Sequence, residues 1–222
     1  MERRFRDRSE AGRILGESLG DYGGRDDVVV LALPRGGVPV GLEVARALSA
    51  PLDTFVVRKL GVPGHEELAM GAIASGGVRV INDEVVRELG ITDQAIARVA
   101  NQELAELSRR ERSYRGERGT PDLKNKTAIL VDDGLATGST MRAAVAALRG
   151  HEPARIVIAV PVGAPTVCKE LGREADEIVC TLTPEPMSAI SMWYESFDQT
   201  SDDEVRELLA EAEREIASMR RS

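Results

Sequence analysis

Ala128-Ile129-Leu130-Val131-Asp132-Asp133-Gly134-Leu135-Ala136-Thr137-Gly138-Ser139-Thr140 is the stretch on which the reading of this 222-residue chain turns. Its apolar first half predicts a strand over residues 127–131, buried on both faces as in a parallel sheet. Two carboxylates follow at the strand's carboxyl end. A turn of small residues then opens a helix over residues 139–148, closed by Gly150. The free amides of such a helix start favour an anion, Gly138 permits close backbone approach, and Thr137, Ser139 and Thr140 add hydroxyls. Paired carboxylates do not face a bare phosphate favourably. They suit hydroxyl groups or a divalent cation beside it, and the combination describes a sugar phosphate. No Lys follows the last Gly, so this is not a P-loop, and the three glycines of the dinucleotide fingerprint are absent.

Outward from this stretch, strands and helices alternate. Residues 28–33 (Val-Val-Val-Leu-Ala-Leu) form a second apolar run that ends in Pro34-Arg35-Gly36-Gly37. A helix is expected over residues 39–48, with Pro39 at its start. A strand over residues 52–57 ends at Arg58-Lys59. Gly76-Gly77 marks a hairpin. A helix over residues 93–114 carries Ile96, Val99, Ala100, Leu104 and Leu107 on one face, with Thr92 as N-cap. Its end is basic: Arg109, Arg110, Arg112. Strands over residues 156–160 and 177–180 flank a helix near 165–171. The last helix starts at Ser201, with Glu204 completing a capping box, and buries Val205, Leu208, Leu209, Ala212 and Ile216. Apolar positions at Phe5, Ala11, Ile14, Leu15 and Leu19 predict an N-terminal helix. The fold class is therefore α/β, a mostly parallel sheet flanked by helices, with ligands at the strands' carboxyl ends.

Composition narrows the function. The net charge is −8, which argues against nucleic acid and anionic membrane surfaces as partners. Two cysteines, Cys168 and Cys180, fit no zinc spacing and suggest thiols in a reducing compartment. No apolar run suits a signal peptide or a membrane span, so a cytoplasmic chain is expected. His151 follows Gly150 and is expected at the surface.

Val131-Asp132-Asp133-Gly134-Leu135-Ala136-Thr137-Gly138-Ser139-Thr140 resembles the signature of the type I phosphoribosyltransferases, most closely its adenine-type form. The resemblance implies one domain over residues 1–222: a core at about 26–182, a hood from about 1–25 and 183–222, and a lid insertion at about 61–126. It implies that Asp132 and Asp133 hold ribose hydroxyls, and that Ala136, Thr137, Gly138, Ser139 and Thr140 wrap the 5-phosphate of phosphoribosyl pyrophosphate. Arg35, Gly36 and Gly37 correspond to the family's pyrophosphate loop. Arg58 and Lys59 stand where the family places further basic residues, and Arg109, Arg110 and Arg112 are candidates to reach in from the lid. Taken by themselves, Arg58-Lys59 suit a solvated face, and the three later arginines suit a helix end that complements its dipole.

The implied activity is transfer of phosphoribosyl to a nitrogen acceptor, with a nucleobase expected and pyrophosphate released. Magnesium would be held mainly through the donor, and a homodimer is expected. Ala136 speaks against the hypoxanthine-guanine branch, whose equivalent position is an acid. Glu66, Glu67 and His65 are the candidates for proton transfer. Residues 58–74 and the C-terminal region resemble bacterial phosphoribosyltransferase-like proteins of undefined acceptor. Trp193, Tyr194 and Phe197 could stack on a planar acceptor or anchor the C-terminal segment. The alternative function is a non-catalytic sensor of the donor or a nucleotide. A phosphotransfer role for Asp132 is disfavoured by the hydroxyl-rich loop.

Overall fold

The structure is a computed structural model that describes residues 4–116 and 119–219. Its central sheet contains β1 (Val28–Ala32), β2 (Leu52–Thr54), β6 (Thr127–Val131), β7 (Arg155–Val162) and β8 (Glu177–Leu182). All pair in parallel, in the order β2-β1-β6-β7-β8. Between β2 and β6 lies a second, antiparallel sheet of β3 (Val57–Val62), β4 (His65–Ala74) and β5 (Arg79–Ile81). The helices are α1 (Arg8–Ser18), α2 (Gly37–Leu48), α3 (Asp83–Glu88), α4 (Asp93–Arg115), α5 (Ser139–Arg149), α6 (Pro165–Leu171) and α7 (Asp202–Met219).

Side chains that alternate along each strand divide the core in two. Val28, Val30, Ile129 and Val131 pack with Leu15, Val40 and Val44 of α1 and α2. Val29, Leu31, Ala128 and Leu130 pack with Met141, Val145 and Leu171 of α5 and α6. Coverage on both faces explains the unbroken apolar runs in these strands. The α1 helix lies directly against α2, since a Cβ at Gly12 would come 2.6 Å from the Val40 carbonyl oxygen. A third cluster joins Leu60, Met70 and Ile73 of the antiparallel sheet to Ile96 and Leu107 of α4 and to Val205 and Leu209 of α7.

Several expected boundaries shift for physical reasons. The α2 helix begins at Gly37, two residues early, because Pro39 sits in the first turn, where no intrahelical acceptor awaits its missing N–H. The expected strand over residues 52–57 is two strands. The Phe55 amide still donates to the Ala32 carbonyl at 2.9 Å, but the Val56 amide donates to Ser75 Oγ at 2.9 Å, and Val57 pairs with Ala74. Arg58-Lys59 therefore lie inside β3. The apolar run is continuous, while the pairing partner changes within it.

Gly76 and Gly77 do turn the β4–β5 hairpin, both at positive φ. Thr92 caps α4, accepting from the Ala95 amide at 3.3 Å. Leu104, expected in that helix's buried stripe, is exposed. Ser201 caps α7, accepting from the Glu204 amide at 3.1 Å, while Leu208 and Ile216 are half-buried rather than buried. His151, expected at the surface, is half-buried: its Nε2 meets the Ser75 carbonyl at 2.9 Å and its ring stands edge-on to Phe55.

Candidate functional site

The strand order reverses between β1 and β6, so a crevice opens at their carboxyl ends. Two loops meet there, residues 34–37 from β1 and residues 132–138 from β6. Their contact requires glycine: a Cβ at Gly36 would overlap Asp133 Oδ2, and one at Gly37 would come 2.6 Å from the Val131 carbonyl oxygen. The Pro34–Arg35 peptide is cis.

A cleft of about 170 Å³ is lined by residues 132–141 and Ile190. Asp132 and Asp133 are among its lining. Asp132 Oδ1 accepts the Asp133 amide at 2.9 Å. Burial, reinforced by the neighbouring Asp133 charge, holds the Asp132 carboxyl well above the usual carboxylate range. Burial also raises Asp133, while the Arg8 guanidinium opposes that rise. The start of α5 lines it as well. Gly138 adopts φ 71° as N-cap and offers no side chain, so no side-chain cap bonds the helix's first amides from that position. Thr137 Oγ1 and Ser139 Oγ lie 3.3 Å apart, and residues 136, 137, 139 and 140 are exposed. Leu135 is anchored beneath, its amide donating to the Val162 carbonyl and its carbonyl accepting from Ala164, both at 2.9 Å. Carboxylate acceptors thus share one small cleft with amide and hydroxyl donors.

The chain ends close over this loop. Phe5 bridges Tyr194 in parallel, with the Phe5 amide donating to the Trp193 carbonyl at 2.9 Å. Tyr194 Oη donates to the Asp133 carbonyl at 2.7 Å. Arg8 Nε donates to Asp133 Oδ2 at 2.9 Å, with Nη2 at 2.9 Å from the same oxygen. Arg8 also lies 3.9 Å from the centre of the Phe197 ring. Trp193 and Tyr194 are buried with Phe5, Ala11 and Val162, and Phe197 packs between Tyr194 and Arg8. All three rings are thereby engaged in joining the chain ends to the sheet, the anchoring alternative of the two that the sequence left open. The C-terminal side chain that does line the cleft is Ile190.

The basic candidates are distributed differently. Arg35 is half-exposed, 3.9 Å from Asp202, whose Oδ1 also accepts from Tyr114 Oη at 2.8 Å. This brings the pyrophosphate-loop candidate to the adjoining ends of α4 and α7. Arg109 and Arg110 both bond Glu106 on their own helix, at 2.8 and 2.9 Å, and Arg112 is exposed. Arg58 turns to Glu103 of α4 at 2.7 Å, and Lys59 Nζ donates to the Glu67 carbonyl at 3.1 Å. Arg58, Lys59 and Glu66 line a separate cavity of about 520 Å³ between β3 and α4, which shares no lining residue with the Asp132–Asp133 cleft. His65, Glu66 and Glu67 are exposed on the first half of β4. Sequence reasoning missed Arg8, Asp202, Tyr114 and Ile190. No local signal distinguishes Arg8 from the other arginines of the first eight residues.

A family model described as phosphoribosyl transferase domain matches residues 8–183. A Mycobacterium tuberculosis protein named "Putative phosphoribosyl transferase" is 47% identical over 213 residues, 96% of this chain and 48% of its own length. The chain thus spans about half the length of that relative. The bifunctional protein PyrR of Clostridium novyi is 29% identical over 184 residues, 78% of this chain and 83% of its own. A crystal structure of a Thermus thermophilus protein superposes with a TM-score of 0.84 at 40% identity, covering 94% of this chain and 98% of that one. On the breadth of the family match and the relatives that share it, this chain belongs to the phosphoribosyl transferase family.

Proposed function

We propose that this chain transfers the phosphoribosyl group of phosphoribosyl pyrophosphate to a nitrogen of a small acceptor, a nucleobase by chemical class. The observation that carries the reading is the pairing, in one cleft, of Asp132 and Asp133 with the start of α5, whose N-cap Gly138 supplies no side-chain bond. The amides of residues 138–140 and the hydroxyls of Thr137, Ser139 and Thr140 hold the 5-phosphate. Asp132 and Asp133 accept the ribose hydroxyls. Arg35 and the amide of Gly36 receive the pyrophosphate, while Gly37, whose own amide donates to the Leu33 carbonyl at 3.1 Å, keeps the loop close to the strand end. The bond from C1′ to the pyrophosphate oxygen breaks, the bond from C1′ to the acceptor nitrogen forms, and the nitrogen's proton leaves to a base. Ala136 cannot take that proton. Glu66, Glu67 and His65 remain the candidates, provided the β3–β4 hairpin closes over the cleft as a lid. Closure would also exclude water from the cationic ribosyl centre.

Among the described residues no cluster of three or more His, Cys, Asp or Glu could hold a metal. With Asp133 Oδ2 already taken by Arg8, the side chains present fit a magnesium ion held by the donor's own oxygens. Neutralisation of the departing pyrophosphate is what magnesium supplies when bound.

Isothermal titration of phosphoribosyl pyrophosphate with magnesium into the wild type and an Asp132→Asn/Asp133→Asn variant tests the site. Binding by the wild type that is lost in the variant is the expected result. No binding by a folded wild type removes the donor assignment. Pyrophosphate release across a panel of nucleobases then separates transferase from sensor, because a sensor binds the donor and releases none.

A further inference from the structure

Arg8 stands in the first turn of α1, where Asp7 caps the helix by accepting the Glu10 amide at 2.8 Å. Close packing of α1 on α2 fixes that turn over the carboxyl edge of the sheet. The Arg8 side chain is 12% exposed and that of Asp133 is 13%, so theirs is not a solvent-screened surface pair. An arginine usually meets a carboxylate as a fork, one nitrogen to each oxygen. Here Nε and Nη2 both lie 2.9 Å from Oδ2, while Nη1 donates to the Asp198 carbonyl at 2.7 Å. Gly36 closes the other side of Oδ2. Among the described residues no other residue donates to Oδ1, and Asp133 is part of the cleft wall. The Phe197 ring fixes the plane of the guanidinium, and Tyr194 Oη holds the Asp133 carbonyl.

We propose that Arg8 is a positioning residue of the phosphoribosyl site: it clamps Oδ2 of Asp133 and so presents Oδ1 to a ribose hydroxyl. The proposal rests on the hydroxyl-binding reading of Asp132 and Asp133 given above. The groups that face Asp133 are Arg8 from α1, Asp132 on its own loop, and Tyr194 from the C-terminal segment. Arg8 is the one cation among them. Without it the half-buried Asp132 and the buried Asp133 share no counter-charge among the described residues, and Asp133 takes up a proton more readily. A protonated Asp133 is a poorer acceptor for a ribose hydroxyl. Fixing the carboxylate in advance also avoids ordering it at the moment of binding.

The test uses Arg8→Met and Arg8→Lys in the full chain, with thermal melting to verify folding. Donor binding with magnesium is measured from about pH 5 to 9, a range that brackets ordinary and raised carboxyl titrations. The Asp133 carboxyl is titrated by carbon NMR in the ligand-free protein. Arg8→Met is expected to weaken donor binding on the order of tenfold at neutral pH, the scale of one lost charge-assisted hydrogen bond. Its acid limb of binding, and the Asp133 midpoint, should move to higher pH. Arg8→Lys is expected to restore the position of the limb but not the affinity, because an ammonium is a point charge without the planar fork. A folded Arg8→Met variant with unchanged affinity and acid limb overturns the proposal. Should Arg8→Met fail to fold, Arg8→Lys with wild-type affinity overturns it equally. If the wild type itself does not bind the donor, the phosphoribosyl reading fails, and the NMR midpoint decides separately whether Arg8 controls Asp133.

Discussion

At Asp132, burial and the adjacent Asp133 both oppose ionisation, so between the unfolded and the raised folded titration the folded state binds more protons than the unfolded chain. Between the unfolded and the raised folded titration, stability falls as pH rises, and the cost is fully present above the folded value. Asp132→Asn keeps an oxygen for the Asp133 amide and removes that cost. The variant is expected to be more stable than the wild type at neutral pH, by roughly 1.4 kcal/mol for each pKa unit of displacement relieved. The gain should vanish as the pH falls to about 4, near the ordinary carboxylate titration. Urea midpoints at acid and neutral pH measure it. Equal midpoints at both would mean that the carboxyl carries no such cost. A site residue that destabilises its own fold is the expected signature of function. These two aspartates were legible in the sequence because strand, turn and helix start are contiguous. Arg8, 125 positions away from Asp133, was not.

At the scale of elements, α4 shows how a long insertion is tied to the core. Arg115, with a side chain 2% exposed, pairs with Asp53 at 2.7 Å and Glu111 at 2.8 Å and donates to the Thr54 carbonyl. It pins the end of α4 to β2, the edge strand of the main sheet. Arg115→Ala would strand two partly buried carboxylates and a buried carbonyl, at a cost of about 3 kcal/mol. Lysine is expected to recover little, since it lacks the planar array of donors. A urea denaturation series over both variants measures the loss, and a loss under about 1 kcal/mol would contradict the account. The helix itself was readable from Thr92 and its apolar spacing. Which arginine at its basic end is structural was not, because Arg109, Arg110, Arg112 and Arg115 differ only in the direction each faces in the fold.

Across the whole molecule, the parallel sheet forms the rigid floor, and the β3–β4 hairpin extends beside it. Residues 63–69 are exposed, whereas β1 and β6 are buried throughout. Amide exchange is therefore expected to be slowest in β1 and β6 and fastest in the hairpin tip. If the hairpin is the lid, adding donor and magnesium should protect residues 61–69. Unchanged exchange there, with donor bound, would make the hairpin a fixed part of the fold. By itself the sequence determined the parallel sheet, its order of elements and the carboxylate-and-hydroxyl loop, because each depends on periodicity and chemistry within a dozen neighbouring residues. Only the tertiary structure decided where the second strand divides, that Trp193, Tyr194 and Phe197 hold the chain ends together, and that Arg8 reaches Asp133. Those outcomes depend on pairing and packing between segments far apart in the chain, where a residue's type leaves its direction and its partner open.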